Sequence, residues 1–539
     1  MSSDEERSDD EPFHPLGESW QTSLEEALEE TEYDAALGME MAEDAMRVTE
    51  GTLSEEAFYE RYHEDVLEEF GEDNRPIADG TASSAEGHVD RALAQVGVGE
   101  ESRRGVLKKM GGAGAVGMSA WGASNSDGNA ELAFTQDDEQ EADEPDESDE
   151  EGVQWGMALD LEHCDGCLAC VTACAEEHNW EQGANWMYVL YFEDDTPGEA
   201  NNALIRPCQH CTDAPCEKVC PTTARHTRDE DGLVLTDYDV CIGCRYCQVA
   251  CPYGVNYFQW EDPDVGEGEL DEDHIYDGRD RPVDSRGPRG VMEKCTFCPT
   301  RQDGSKDEDM IGSTACEEAC PPEVIQFGNM NDPSSDPQRY IENTAKSRTL
   351  ARISGDLPSP DEVEEQLEDE DIADEDDQLE AVTDAVEELD EELIGLALAI
   401  DVLGEDGHPE VEADSTLAEQ EADAIELVEI LDDQGLDTED EDLLVELELA
   451  DEPDEDDEFD GPSDAMAQDR LEAYTGDSPS TFKLLDNIGT DPNIVYLGNE
   501  PGPNAEQVEG PVAYDDIGQT DDRKDVLDEG TVGVDGPSI

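Results

Sequence analysis

Lysine and arginine are scarce in this chain. Its 539 residues carry 29 basic side chains against 148 acidic ones, for a formal net charge of -119. No basic patch exists to neutralise phosphates, so nucleic acid is not an expected partner. Between Arg352 and Arg470 there is no Lys or Arg at all. Long apolar runs are missing as well. A membrane-spanning helix needs about 18 consecutive apolar residues, and the best stretch, Gly111 to Ala123, is shorter and rich in Gly and Ala. No direct membrane span is expected. There is no P-loop, no dinucleotide fingerprint and no nucleophile–base pair, so no catalytic residue is expected. Cysteine is absent before Cys164 and after Cys320.

The acidity bears on the environment. Self-repulsion of this size opposes compaction in ordinary salt. In molar salt the Debye length falls to about 3 Å and the repulsion is screened. The composition resembles that of proteins from extremely halophilic archaea. A mesophilic chain with disordered acidic tails is the other reading. Acidic residues also run through the cysteine region (Glu176, Glu177, Glu193, Asp194, Asp195, Asp229, Glu230, Asp231), which favours the halophile.

All 16 cysteines fall into four groups of four. Cys164, Cys167, Cys170 and Cys174 read C-x2-C-x2-C-x3-C. Cys208, Cys211, Cys216 and Cys220 read C-x2-C-x4-C-x3-C, followed by Pro221. Cys241, Cys244, Cys247 and Cys251 repeat the first spacing, followed by Pro252. Cys295, Cys298, Cys316 and Cys320 read C-x2-C-x17-C-x3-C, followed by Pro321. A [4Fe-4S] cluster needs four thiolates around it, and two-residue gaps let a tight turn present successive sulfurs to one centre. The fourth Cys is expected to begin a helix and reach the neighbouring cluster. The following Pro breaks the turn and fixes the backbone. Structural zinc would also use thiolates, but its motifs are paired C-x2-C knuckles without the third and fourth Cys at these offsets. Disulfides fit worse, because Cys three residues apart make poor bridges. Four [4Fe-4S] clusters are the expected cofactors.

The chain divides by composition. Residues 1–100 form an acidic N-terminal accessory region. Leu24, Ala27 and Leu28, then Leu53, Phe58, Tyr62, Val66 and Phe70, carry helical spacing within it. Residues 101–152 hold Ser102-Arg103-Arg104-Gly105-Val106-Leu107-Lys108, which resembles a twin-arginine export signal, and an acidic linker. The signal lies about 100 residues in, and no clean A-x-A site follows. Residues 153–352 contain the cysteines. Met157 to Leu161, Ala203 to Arg206, Gly232 to Leu235 and Val324 to Phe327 read as strands between cysteine loops. The expected fold is α+β, two pseudo-repeated ferredoxin-like modules with acidic extensions. Residues 353–469 are an acidic insertion, either partly helical or disordered. Leu379, Val382, Val386, Leu389, Leu393, Leu396 and Ile400 predict one amphipathic helix, and Ile425, Val428 and Leu431 another. Residues 470–539 form a tail that returns to the core at Ser480 to Leu485 and Asn493 to Leu497.

Gly156 to Pro333 resembles the four-cluster iron–sulfur subunits of the molybdopterin oxidoreductases, the dimethyl sulfoxide, polysulfide, thiosulfate and tetrathionate reductase group. The resemblance rests on Cys241-Ile242-Gly243-Cys244-Arg245-Tyr246-Cys247 through Cys251-Pro252-Tyr253-Gly254, on Lys294-Cys295-Thr296-Phe297-Cys298, on Ala315-Cys316-Glu317-Glu318-Ala319-Cys320-Pro321, and on Phe327 to Pro333. It implies crossed ligand sets: Cys164, Cys167, Cys170 with Cys320; Cys295, Cys298, Cys316 with Cys174; Cys208, Cys211, Cys216 with Cys251; and Cys241, Cys244, Cys247 with Cys220. It also implies an electron-transfer subunit between a molybdopterin catalytic subunit and a membrane anchor subunit linked to quinone. Such a subunit would be membrane-associated through its partners, on the extracytoplasmic face by the twin-arginine route or else on the cytoplasmic face. The alternatives are the equivalent subunit of a membrane hydrogenase, formate dehydrogenase or quinol-oxidising complex, a self-contained reductase, or a non-catalytic binding module with structural clusters. His163, His178, His210 and His226 lie near the groups and are read as surface or supporting residues, since each group already has four Cys. Trp155, Trp180, Trp186, Tyr253 and Phe297 are read as packing around the clusters. Arg206, Arg225, Arg245 and Lys294 are read as offsetting cluster charge.

Overall fold

The computed structural model describes residue 14, residues 17–76 and residues 152–520, apart from 181–184, 194–201, 261, 264, 271–273, 369–371, 375–376, 405–414, 452–458, 460 and 502–504. The twin-arginine-like segment lies outside the described residues. The described residues belong to one compact unit.

Three helices open the chain: α1 (Glu18–Glu29), α2 (Ala35–Thr49) and α3 (Glu55–Phe70). Asp34 caps α2 by accepting from the Ala36 and Leu37 N–H groups, and Ser54 caps α3 by accepting from Ala57 N–H. Gly71 ends α3 in the left-handed region that glycine tolerates. Leu24, Leu28, Phe58, Tyr62 and Val66 are buried, as their spacing predicts. These helices pack onto the cysteine region. Arg245 Nη1 donates to the Ala27 carbonyl at 2.7 Å, and Tyr246 donates its hydroxyl to the Asp34 carbonyl at 2.7 Å. Asn74 N–H donates to Pro221 O at 3.1 Å.

The cysteine region alternates short strands and one-turn helices. In chain order these are β1 (Trp155–Asp160), α4 (Ala169–His178), β2 (Val189–Glu193), β3 (Asn202–Ile205), α5 (Pro215–Lys218), β4 (Arg225–Thr227), β5 (Val234–Thr236), α6 (Tyr246–Val249), β6 (Tyr257–Phe258), β7 (Met292–Glu293), α7 (Pro299–Gln302), α8 (Ala315–Glu318) and β8 (Ile325–Asn329). Strand β1 pairs antiparallel with β8, Trp155 opposite Asn329 and Leu159 opposite Ile325. β2 pairs with β3, β4 with β5, and β6 with β7, all antiparallel. The fourth Cys of each group does not begin a helix. Cys220, Cys251 and Cys320 follow α5, α6 and α8, while Cys174 lies inside α4. The reason is the next residue. Proline disfavours helical backbone in the residue before it, so Cys-Pro stops three of these helices. Cys174 has no proline after it, and α4 runs on to His178.

The acidic insertion is helical where it is described. α9 (Asp336–Glu342), α10 (Thr344–Ile353), α11 (Pro360–Leu367), α12 (Gln378–Ala385), α13 (Glu391–Val402), α14 (Thr416–Asp433), α15 (Glu441–Glu446) and α16 (Asp464–Thr475) share one apolar core, which continues through Ala158 of β1. The single helix expected from Leu379 to Ile400 is two. Val386 takes extended backbone at the end of α12, and Asp390 caps α13 by accepting from Leu393 N–H. Val386 and Leu389 stay buried across the break. A turn inserted between two apolar stretches preserves the burial pattern, so periodicity alone did not reveal it. Arg348 of α10 ties this body to β1, with Nε 2.6 Å from Asp160 Oδ2 and Nη2 2.9 Å from Oδ1.

After α16 the tail supplies β9 (Thr481–Phe482), β10 (Ile494–Leu497) and β11 (Glu506–Val508). β10 runs parallel to β1, Met157 opposite Ile494, and completes a sheet ordered β8-β1-β10-β9. β11 joins the edge of β2.

Candidate metal centres

All sixteen cysteines are free thiols, and thirteen are buried; Cys164, Cys167 and Cys241 are half-buried. The loops that carry them turn through left-handed backbone. Gly166 and Leu168 do so in the first group, His210 in the second, Gly243 and Arg245 in the third, Phe297 and Cys298 in the fourth. Side-chain-bearing residues rarely accept this conformation, and such residues gather at functional sites. At Gly243 a Cβ would stand 2.1 Å from the Gly290 carbonyl oxygen, so only glycine fits that turn.

The turns aim N–H groups at sulfur. Gly166 N–H serves Cys164, Gly243 N–H serves Cys241, Phe297 N–H serves Cys295, and Val324 and Ile325 N–H groups serve Cys320. Each such bond favours thiolate. Burial works against it. It pushes Cys164 up to about 12, Cys241 to about 12, Cys295 to about 12 and Cys320 to about 11. Mutual repulsion of neighbouring thiolates adds to the rise. Sites of this kind become thiolate only when cations bind, and they release protons as they load.

Each thiol is acted on by the charges of its neighbours, and these neighbours come from more than one group. Cys164 and Cys170 meet Cys167 and Cys320. Cys174 meets Cys295, Cys298 and Cys316. Cys211 meets Cys208, Cys216 and Cys251. Cys244 meets Cys220, Cys241 and Cys247. Each set takes thiols from two groups. Neighbouring sets act on one another in one order: Cys170 on Cys316, Cys208 on Cys295, and Cys247 on Cys216. The first and last sets in that order carry the half-buried thiols.

The chemistry of these sets fits an iron–sulfur cube better than one ion. Among the described residues, no three His, Cys, Asp or Glu converge tightly enough to hold a single ion. A tetrahedral zinc would bring its sulfurs to roughly 4 Å from one another. Cys220, Cys241, Cys244 and Cys247 instead line one common space, walled by Ala224, Arg225 and Met292.

Polar groups support the sulfurs from behind. Trp180 Nε1 donates to Cys174 Sγ at 3.4 Å, and Arg225 N–H donates to Cys220 Sγ at 3.3 Å. Thr314 Oγ1 lies 3.4 Å from Cys316 Sγ. His178 Nε2 lies 3.3 Å from Cys298 Sγ, with its Nδ1 2.8 Å from the Asp284 carbonyl. His210 stacks on Phe297 at 3.9 Å. His163 sits by Asp160, and His226 by Arg279, away from sulfur. Trp155 stacks on Phe327 and Trp186 on His178. Sequence reasoning passed over Thr314 and Asp284, which carry no local motif and gain their roles by tertiary contact.

Residues 201–280 match the family described as the 4Fe-4S dicluster domain, and residues 14–78 match the N-terminal region of 4Fe-4S ferredoxin iron-sulfur binding. The chain is 35% identical over 227 residues to the iron-sulfur cluster-binding subunit of menaquinone reductase from Nitratidesulfovibrio vulgaris, covering 38% of this chain and 86% of the relative. It is 39% identical over 203 residues to a protein from Halobacterium salinarum described as a dimethyl sulfoxide reductase iron-sulfur subunit, covering 35% and 71%. It is 34% identical over 220 residues to an arsenate respiratory reductase iron-sulfur subunit from Shewanella, covering 35% and 88%.

Proposed function

We propose, because the chain belongs to the family of iron–sulfur electron-transfer subunits of molybdopterin oxidoreductases, that its four thiol sets hold four [4Fe-4S] clusters in a line and pass electrons along it. The observation that supports this reading is the order in which neighbouring sets act on one another, from the Cys164 set through the Cys174 and Cys208 sets to the Cys220 set. When bound, such clusters supply one-electron oxidation and reduction. The chain carries its thiols on loops with left-handed turns, screens the middle sets from water and steadies sulfur with N–H groups.

The partners are a molybdopterin catalytic subunit at one end and a quinone-linked membrane subunit at the other. The half-buried thiols Cys164 and Cys167, and Cys241, mark the two ends where partners approach. Among the described residues no helix is long and apolar enough to cross a membrane. The Arg103-Arg104 segment supports a position on the extracytoplasmic face. Changing both arginines to Lys should leave the chain inside the cell, read by fractionation; unchanged export would remove that assignment.

The deciding experiment is anaerobic purification from the native membrane, with iron and molybdenum counted and co-purifying subunits identified. About 16 iron per chain, the count four cubes require, together with a molybdopterin protein, is the expected result. Zinc in place of iron, or the chain alone in the cytosol, would overturn the reading.

A further inference from the structure

Cations are few in this chain, yet among the described residues three that are buried without a carboxylate stand beside the cysteine groups. Arg206, Arg225 and Lys294 are 3%, 1% and 2% exposed. Arg206 reaches the Tyr253 carbonyl, Lys294 Nζ donates to Cys295 O at 2.8 Å, and Arg225 Nη2 donates to Asn256 Oδ1 at 2.6 Å. Among the described residues no Asp or Glu forms an ion pair with any of the three. A buried guanidinium without a counter-charge is costly, so its surroundings must compensate it.

Arg225 has the most informative surroundings. Its Nη2 stands 3.8 Å from Cys247 Sγ, and its backbone N–H donates to Cys220 Sγ at 3.3 Å; both belong to the last thiol set. Its charge also acts on Cys216 and Cys208 of the neighbouring set. Its Nε and Nη1 find no hydrogen-bond partner among the described residues, and it lines the space between Cys220, Cys241, Cys244 and Cys247. Around Cys164, by contrast, the groups acting on the thiol are Cys320, Cys167 and Asp165, none of them basic.

We propose that Arg225 is a positioning residue of the electron path: a fixed positive charge between the Cys208 and Cys220 sets that raises the reduction potential of both clusters and lets an electron rest there. This rests on the cluster reading above. The step it biases is a one-electron transfer between clusters, one oxidised as the other is reduced, with no bond made or broken and no proton moved. Adding an electron beside a fixed cation in a low-dielectric interior is favoured by Coulomb attraction. Asn256 holds the guanidinium in place without neutralising it: its Oδ1 accepts from Arg225, and its Nδ2 donates to the Cys247 carbonyl at 3.3 Å.

The test is a potentiometric titration of the full chain, loaded with iron anaerobically and followed by electron paramagnetic resonance. The variants are Arg225→Met, Arg225→Lys and Asn256→Asp, each with iron counted. Arg225→Met should lower the reduced-to-oxidised ratio of two clusters at least tenfold at fixed poise, which is about 59 mV for one electron. Arg225→Lys should restore most of that loss, and the other two clusters should not move. Asn256→Asp, which pairs the arginine where it stands, should shift the same two clusters in the same direction. Unchanged potentials in Arg225→Met, or an Arg225→Lys as shifted as Arg225→Met, would overturn the proposal. If Arg225→Met does not keep its iron, Asn256→Asp decides alone, and unchanged potentials there overturn it. A parent chain that takes up no iron fails the cluster reading itself, which is a different result from iron-loaded variants with unmoved potentials.

Discussion

Single residues divide here into those that hold metal and those that hold the holders. Cys244 belongs to the first kind. Cys244→Ser should reduce iron from about sixteen to about twelve per chain if one cube is lost, or to about fifteen if it becomes a [3Fe-4S] cluster. Electron flow to the acceptor should fall with it, measured by iron assay and by reduction of an artificial acceptor. Normal flow would sink the line of clusters. Asp160 belongs to the second kind. Burial alone would raise its carboxyl, but hydrogen bonds from His163 and Arg348 outweigh burial and hold it at about 2. A folded-state value below the unfolded one stabilises the fold at pH above about 4, and that stability is lost as pH falls through about 2. The depression is worth about 2 kcal/mol at 1.36 kcal/mol per unit. Asp160→Asn should therefore unfold more easily than the parent at pH 7, and the gap should narrow below about pH 3 in denaturant titrations. A gap independent of pH would mean that the carboxylate charge is not what Arg348 needs.

At the scale of elements, two close fits set the architecture. Gly156 of β1 faces the tail: a Cβ there would stand 2.3 Å from the Asn493 carbonyl oxygen and 2.4 Å from Met330 Cγ. The first neighbour is backbone and cannot swing aside. Gly156→Ala should cost about 1–3 kcal/mol, seen as a lower unfolding midpoint, and should loosen β10 from β1. The other fit is the break between α12 and α13. Asp390→Ala removes the cap from Leu393 N–H and should cost about 1 kcal/mol. No loss would mean that apolar contacts alone place the break. Sequence pattern locates strands well: it predicts Met157 to Leu161 where Trp155–Asp160 is found, and Val324 to Phe327 where Ile325–Asn329 is found. It locates helix ends poorly, because ends depend on caps and prolines rather than on apolar spacing. The fourth cysteines and the α12–α13 turn both show this.

For the whole molecule, charge and core oppose each other. The chain carries a net charge of -119, and its described residues close on one apolar body at the insertion and another around the thiols. Repulsion reaches about 10 Å in 0.1 M salt and about 3 Å in 1 M. Raising potassium chloride from 0.1 to 1 M should raise the unfolding midpoint of the iron-loaded chain, with most of the gain gone when acidic residues of the insertion surface are changed to Gln. A midpoint indifferent to salt would remove the halophilic reading. Some of the few cations hold buried or half-buried carboxylates. Arg339 and Lys346 pair with Glu421 at 2.7 and 2.8 Å, and Arg301 and Lys306 with Glu177 at 3.2 and 2.5 Å.

Cysteine spacing by itself determined that this chain binds iron–sulfur clusters and roughly where its strands lie, because ligand loops and strands are short-range chemistry written within a dozen residues. Tertiary structure decided the rest. It brought Cys174 near Cys295 across more than a hundred residues, threaded the tail beside β1 and set Arg225 against Cys220 and Cys247. None of these depends on a local pattern. Each follows from which apolar faces close on one another, and that closure is a property of the whole chain.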